Sequence, residues 1–183
     1  MNSAFGGGGD GIYGGYMKKL LIIAVGIAAA AALAGIVALK GGYIDFGADR
    51  APSALETRLA MAALDASLER RSEGLKNPLQ ADEKTLKAGA EVYLNHCAGC
   101  HGLPYNPDSQ FGRSFNPPVP QFFTEAPDMT DAQNFYVTLH GVRWTGMPSW
   151  SKTLGETEIW QVVTFLANTE KLPPAAAKVI AKP

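Results

Sequence analysis

An unbroken run of uncharged, mostly apolar residues extends from Leu20 to Leu39, between Lys19 and Lys40. Twenty helical residues at 1.5 Å each just cross a bilayer core of about 30 Å. A cleaved signal peptide is the alternative, because Ala32-Leu33-Ala34 resembles a cleavage site. The apolar run continues past that site, which favours an uncleaved anchor. The lysines before the run predict that its first end stays cytoplasmic and that the rest of the chain lies outside.

The anchor, residues 17–40, separates two segments of different composition. Residues 1–16 are Gly-rich and lack a core-forming pattern, so we expect them to be flexible or to lie upstream of the true start at Met17. Residues 41–81 contain the glycines and prolines typical of a linker. An amphipathic helix at about 53–71 interrupts this linker.

The helix at 53–71 is predicted from its start signal and its apolar spacing. Ser53 and Glu56 have the spacing of a capping box. The apolar stripe consists of Leu55, Leu59, Ala62, Ala63 and Leu68. We expect this stripe to pack on the following domain, and a docking helix for a partner is the alternative.

Three further helices are predicted within a domain spanning residues 82–172. The first covers 82–96 with Asp82 as its cap, and the second covers 130–140. Thr130 with Gln133 forms a capping box before the second, and Gly141 suits its C-terminal cap. The third spans about 156–168, and an Ala- and Lys-containing tail, 173–183, follows.

Charge is informative only within this domain. The whole chain has a formal net charge of -1, which gives no indication of nucleic-acid binding. Residues 81–170 hold five Lys and Arg against ten Asp and Glu, a balance of -5. An acidic domain would be steered toward a basic surface on a partner.

The chemistry is concentrated where the first domain helix ends. Cys97 and Cys100 are the only cysteines, and His101 follows directly. A redox disulfide would be expected in a βαβ context, and none is visible. A zinc site needs about four ligands, and His96 and His140 add no second ligand pair at the required spacing. Two interpretations remain: cysteines that lie together by chance, and the C-x-x-C-H signature of covalent haem, in which two thiols one turn apart add to the vinyl groups. The specificity of the motif favours haem.

The segment after the motif supports a bound cofactor. Residues 102–123 contain five prolines, so this loop cannot close a core through backbone hydrogen bonds alone. A rigid cofactor in the middle would explain how so irregular a domain folds.

Residues 80–170 resemble a class I c-type cytochrome, of the membrane-anchored bacterial monohaem type. The resemblance is carried by Gly89-x-x-x-Tyr93, Cys97-Ala-Gly-Cys100-His101-Gly102, Gly146-Met147-Pro148 and Glu158-Ile159-Trp160 leading to Phe165. It implies an all-α fold, with three to four helices around one covalently bound haem c, preceded by a transmembrane helix. It also implies that the first and last helices cross at Gly89 against Phe165. One departure is Gly155, where a Ser or Thr cap is common.

The resemblance further implies how the iron is held. His101 would bind one side, and Met147, 46 residues later and followed by Pro148, would bind the other. Met129 is the rival thioether, and His140 a less favoured ligand. With both axial positions filled, no substrate can reach the iron, so we expect an electron carrier and not an enzyme. A weaker expectation is that the carbonyl of Pro117 or Pro118 holds the proximal imidazole. The side chains that could lie beside the haem are Trp144, Trp150, Arg113 and Arg143.

These observations predict a membrane-anchored carrier in the inner membrane, with its haem domain in the periplasm. It would pass single electrons between redox proteins, a quinol-oxidising complex and a terminal acceptor. The alternatives are a fixed haem-carrying subunit of a larger respiratory or oxidoreductase complex and, less favoured, a haem sensor or peroxidase-like enzyme with an open iron site.

Overall fold

The computed structural model describes residues 10–182, with side chains from Gly14 onward. The chain divides into two compact units, and the boundary falls between Gly47 and Ala48. The first unit contains α1, Asp10–Lys40. Within its segment Gly14–Lys40, an 18-residue window has a mean hydropathy of 2.8 and is not buried, so this helix has the length and composition of a membrane span. A signal sequence has the same properties.

Helix α1 begins earlier than predicted. Residues 10–16, which we expected to be flexible, continue the helix, while 1–9 lie outside the described residues. Extending a nucleated helix adds one hydrogen bond for each residue fixed, so the apolar segment can propagate helix through its Gly-rich flank.

Among the described residues of the second unit, the regular secondary structure is helical, with loops between the helices and an isolated bridge between Leu103 and Asn106. Its elements are α2 Ala54–Ser72, α3 Glu83–His96, α4 Ala98–His101, α5 Gln110–Arg113, α6 Asp131–His140, α7 Glu156–Leu166 and α8 Pro174–Val179, with a 3₁₀ turn at Thr169–Lys171. The all-α class is confirmed, and the four predicted helices lie within two residues of their expected bounds.

Local capping explains this agreement. Both capping boxes are present, at Ser53 with Glu56 and at Thr130 with Gln133. The Asp82 carboxylate accepts the Thr85 N–H at 2.7 Å, which lowers the pKa of Asp82. Gly141 ends α6 with φ 71°, a conformation that favours glycine.

The crossing of α3 and α7 forms the centre of the core, as the resemblance implied. A Cβ added at Gly89 would strike the Gln161 carbonyl and lie 2.7 Å from the Phe165 Cβ. Tyr93 packs beside this crossing, with its ring 5.3 Å from that of Phe165. Only glycine allows the two helices to approach so closely.

The packed unit continues beyond residue 172, where we expected a tail. Pro174 occupies the first turn of α8, which suits its missing N–H, and α8 packs against α3. Ala176 and Ile180 are almost fully buried. These two side chains make the C-terminal segment part of the core.

Helix α2 packs on the domain with one face only. Leu68 and Ser72 are buried, and this end of the helix contacts α6. Leu55 and Leu59 remain 67% and 63% exposed. The expectation that the whole stripe packs is therefore wrong, because Leu68 lies on a different helical face from these two leucines.

Candidate haem site

The two cysteines lie at the junction between α3 and α4. Cys97 ends α3, and its carbonyl accepts the N–H groups of Cys100, at 3.1 Å, and His101, at 2.9 Å. This single turn holds the three residues together. Both thiols are free and partly buried. The motif is therefore present as two available thiols followed by an imidazole.

The surroundings of the motif offer no ligand set for a thiolate metal site. Burial, with a smaller effect of Cys100, raises the pKa of Cys97 to about 12. Within residues 10–182 no group of three or more His, Cys, Asp or Glu side chains is placed to hold a metal ion. The zinc interpretation has no support from the described residues.

The His101 ring is held by the carbonyl of Pro120. The Nδ1–O distance is 2.8 Å, and the ring also stacks on Phe122 with centroids 4.4 Å apart. Burial lowers the pKa of His101, and the bond to Pro120 opposes that effect. When Nδ1–H donates to a carbonyl, Nε2 is left as the lone-pair nitrogen that can bind a metal.

The expectation of Pro117 or Pro118 at this position is wrong. The Val119 N–H donates to Gly112, and the Phe122 N–H donates to His101, at 3.0 and 3.3 Å. These two bonds place the segment between them, which includes Pro120, alongside the motif.

The carbonyls of the motif are bound by side chains from elsewhere in the domain. Tyr93 Oη donates to Gly102 at 2.8 Å, and Ser109 Oγ donates to Gly99 at 2.7 Å. Gln121 Nε2 donates to Cys100 at 2.9 Å, while its Oε1 accepts the Ser109 N–H at 2.7 Å. Sequence reasoning missed Ser109 and Gln121, because nothing in a proline-rich loop indicates which polar side chain turns inward.

Met147 is half-buried in the loop that follows α6. Its carbonyl accepts the Val142 N–H and its N–H donates to Thr145 Oγ1, both at 3.1 Å. A Cβ added at Gly141 would lie 2.7 Å from the Met147 carbonyl oxygen. The backbone around Met147 is thus fixed as a tight local turn.

Two contacts bring this loop to the cysteine motif. Gly146 lies against the Phe115 ring, because an added Cβ would collide with it. On the opposite flank, the Trp150 ring lies 5.2 Å from that of His96, directly before Cys97. The loop carrying Met147 therefore contacts segments on both sides of the motif.

The rival ligands have other surroundings. Met129 is half-buried, and its carbonyl accepts Asn134 Nδ2 at 3.0 Å. His140 is exposed and lies against the Tyr136 ring, with centroids 4.5 Å apart. Met61 is 48% exposed on α2.

Of the side chains suggested to lie beside a haem, Trp150 alone packs against the motif region. Trp144 is 91% exposed and has a φ of 62°. The Arg143 guanidinium lies 6.0 Å from the Trp144 ring centroid. Arg113 pairs with Asp108, which raises the pKa of the arginine.

The donor set matches the chemistry of covalent haem. It offers two neighbouring free thiols, an imidazole held at Nδ1 and a thioether on a loop that contacts the motif's flanks. Comparison with protein families gives the same result. The model described as "Cytochrome C oxidase, cbb3-type, subunit III" matches residues 84–166, which extend from α3 to the end of α7. No match was found among curated proteins.

Proposed function

Because residues 84–166 form a class I c-type cytochrome domain, which binds covalent haem c, we propose that this chain is a membrane-anchored monohaem electron carrier. Cys97 and Cys100 would hold the haem through thioether bonds, and His101 and Met147 would bind its iron. The observation that carries the proposal is the pair of free thiols on one turn with His101, whose Nδ1 is held by Pro120.

The bound haem supplies a one-electron Fe(III)/Fe(II) couple. The chain's own residues tune that couple. Pro120 fixes the His101 ring orientation and tautomer, as outer hydrogen bonds do at metal sites. Met147 offers a neutral thioether, which raises the reduction potential by favouring Fe(II). With His101 and Met147 both bound, the iron would have no place for a substrate, so the domain would transfer electrons and would not catalyse a reaction at the iron.

We place the carrier in the inner membrane through α1. The uncharged run continues past Ala34 to Leu39, which is long for a signal peptide and favours a span that stays attached. Lys18 and Lys19 favour a cytoplasmic first end, which puts the haem domain in the periplasm. The redox partners, a quinol-oxidising complex and a terminal acceptor, would meet the domain there.

The exposed Trp144 supports a docking role for the loop that carries Met147. A tryptophan that is 91% exposed leaves a large apolar area in water, and tryptophan is enriched among residues that dominate binding energy. Its position three residues before Met147 would put a bound redox partner close to the haem ligand. The balance of -5 over residues 81–170 favours a partner with a basic surface.

A fixed subunit of a larger respiratory complex is the second candidate. The matching family is named for a subunit of an oxidase. Leu55 and Leu59 on α2 are exposed and one helical turn apart, as an apolar contact with another subunit would require. The haem chemistry is the same for the carrier and the fixed subunit. The two candidates differ only in how long the redox partner stays bound.

Purification of the full chain in mild detergent separates the two candidates. A carrier elutes without stoichiometric partners and reduces an added acceptor in a second-order reaction whose rate falls with salt. A fixed subunit co-purifies with its complex, and Leu55→Ser with Leu59→Ser should release it, while Arg58→Gln on the same helix should not. Carbon monoxide binding to the unmodified reduced protein would contradict both, because it requires an open iron.

A further inference from the structure

A cavity of about 350 Å³ lies in the second unit, outside the proposed haem ligands. It is bounded by the end of α2, the strap of residues 73–76, α6 and the start of α7. Its apolar lining includes Phe135 and Trp160, whose rings stack with centroids 4.0 Å apart. The volume falls within the range of small-molecule sites.

Two cations line this cavity without a partner of opposite charge. Arg71, on the last turn of α2, and Lys76, on the strap, have no carboxylate within ion-pair distance among the described residues. Glu156 is the one carboxylate in the lining, so these three groups leave a net charge of +1. Both side chains are exposed at the half-open mouth of the cavity, so an anion entering it would meet positive charge that only solvent screens.

The walls of the cavity are held in place by other contacts. Asn77 Nδ2 donates to Asp131 at 3.1 Å and to Thr164 at 2.9 Å, which ties the end of the strap to α6 and α7. Leu68 and Ser72 anchor the end of α2 by burial. The cavity is thus built into the fold, so a ligand would not have to organise it.

We propose that this cavity binds a small organic anion with a flat apolar body. Its carboxylate or phosphate would pair with Arg71 and Lys76, and its apolar part would lie against Tyr136 and Leu139, which are only partly buried. Charge-assisted hydrogen bonds to the guanidinium would fix its orientation. This inference concerns ligand binding alone and does not depend on the proposed electron-transfer role.

The test is equilibrium dialysis of radiolabelled benzoate against the haem-loaded full chain, with chain-free detergent as the blank. Saturable binding at one site is expected, with a Kd on the order of 1 mM for so small a probe. Arg71→Gln and Lys76→Gln should each weaken binding roughly tenfold. Arg70→Gln is the matched control, because Arg70 is the exposed neighbour on α2 and does not line the cavity.

Competition experiments separate the two parts of the proposed ligand. Benzyl alcohol, which keeps the ring and lacks the charge, should displace benzoate at least about tenfold less effectively. Inorganic phosphate should also be the weaker competitor, because it lacks the apolar body. The proposal is overturned if benzoate shows no saturable binding, if phosphate competes equally well, or if Arg70→Gln weakens binding as much as Arg71→Gln. Circular dichroism and the haem spectrum establish that each variant is folded.

Discussion

The two sides of the proposed iron site are held in different ways. On the His101 side, bonds come from residues distant in sequence: Pro120 binds the imidazole, and Ser109 and Gln121 bind the motif's carbonyls. The Tyr93 hydroxyl adds a fourth bond, to Gly102. The motif is therefore a part of the domain's long-range hydrogen-bonding network.

On the Met147 side, the hydrogen bonds of Met147 itself lie within the loop. Met147 bonds to Thr145 two residues earlier, and Thr145 bonds to Val142 three residues earlier. The packing of Gly146 on Phe115 provides a contact with the rest of the domain. The iron–thioether bond would then be a large part of what holds the methionine side chain in place.

This difference indicates which changes the domain can tolerate. In the proposed site, the His101 side would anchor the cofactor, so damage there should remove function entirely. The Met147 side would tune the cofactor, so damage there should change its ligation and potential while the fold persists.

The largest effect is expected when the anchoring side loses its thiols. Cys97→Ser with Cys100→Ser should abolish covalent attachment, because a serine hydroxyl cannot form the thioether. The unmodified chain should keep its haem stain after denaturation and show the added mass of one haem, and the double variant should show neither. His140→Ala is the control and should retain both signals. Removal of the haem from the unmodified chain by acidic acetone would contradict the covalent link.

Loss of the tuning ligand should have the next largest effect. Met147→Ala should open the iron to cyanide and carbon monoxide, remove the weak red absorption band of thioether-bound ferric haem and lower the reduction potential. Met147→His should keep six ligands and also lower the potential, because imidazole favours Fe(III) more strongly. Circular dichroism should change little, since the helix crossing at Gly89 remains.

Met129→Ala is the matched control for the ligand assignment. Met129 is half-buried before α6, so its truncation should leave the spectrum and potential nearly unchanged. If this variant loses the red band while Met147→Ala retains it, the assignment of the axial ligand is wrong.

Sequence predicted those parts of the fold that depend on local interactions. Capping boxes at Ser53 and Thr130 act over three residues, so their spacing is visible in the chain. The role of Gly89 was also predictable, because a glycine inside a helix requires a steric reason and the family resemblance supplied its partner. The position of Met147 in a loop after α6 follows from the same local signals.

The remainder depends on contacts between distant residues. Pro120, and not Pro117 or Pro118, reaches His101 because two backbone bonds set the path of that loop, and single-residue properties do not distinguish the three prolines. Helix α2 carries apolar residues on more than one face, so its stripe did not identify the face around Leu68 that packs. The burial of α8 has a similar cause, since an Ala-rich segment carries little pattern of its own.

A third prediction compares hydrogen bonds on the two sides. Gln121→Ala removes three hydrogen bonds, including those to the Cys100 carbonyl and the Ser109 N–H, and should lower the free energy of unfolding by about 2 kcal/mol. Thr145→Val removes the two short-range hydrogen bonds of the Thr145 hydroxyl, to Val142 and Met147. It should lower the free energy of unfolding by about 1 kcal/mol. Denaturant unfolding of the haem-loaded protein, followed by circular dichroism, measures both. An equal or larger loss for Thr145→Val would contradict the proposed asymmetry.

The smallest effect concerns the far end of α3, the helix that leads into Cys97. Hydrogen bonding to Thr85 lowers the pKa of Asp82 below its ordinary 3.8, so its ionised form is favoured in the folded state. That contribution is fully present above the unfolded pKa and is lost as the pH falls through the lower, folded value. Asp82→Asn keeps a good N-cap without the charge, so it should be slightly less stable than the unmodified protein at about pH 7 and equally stable at about pH 2. Urea midpoints at both pH values test this, with Glu83→Gln as a control that leaves the Asp82 cap intact. A difference that persists unchanged at the lower pH would show that the geometry of the cap, and not its charge, stabilises the start of α3.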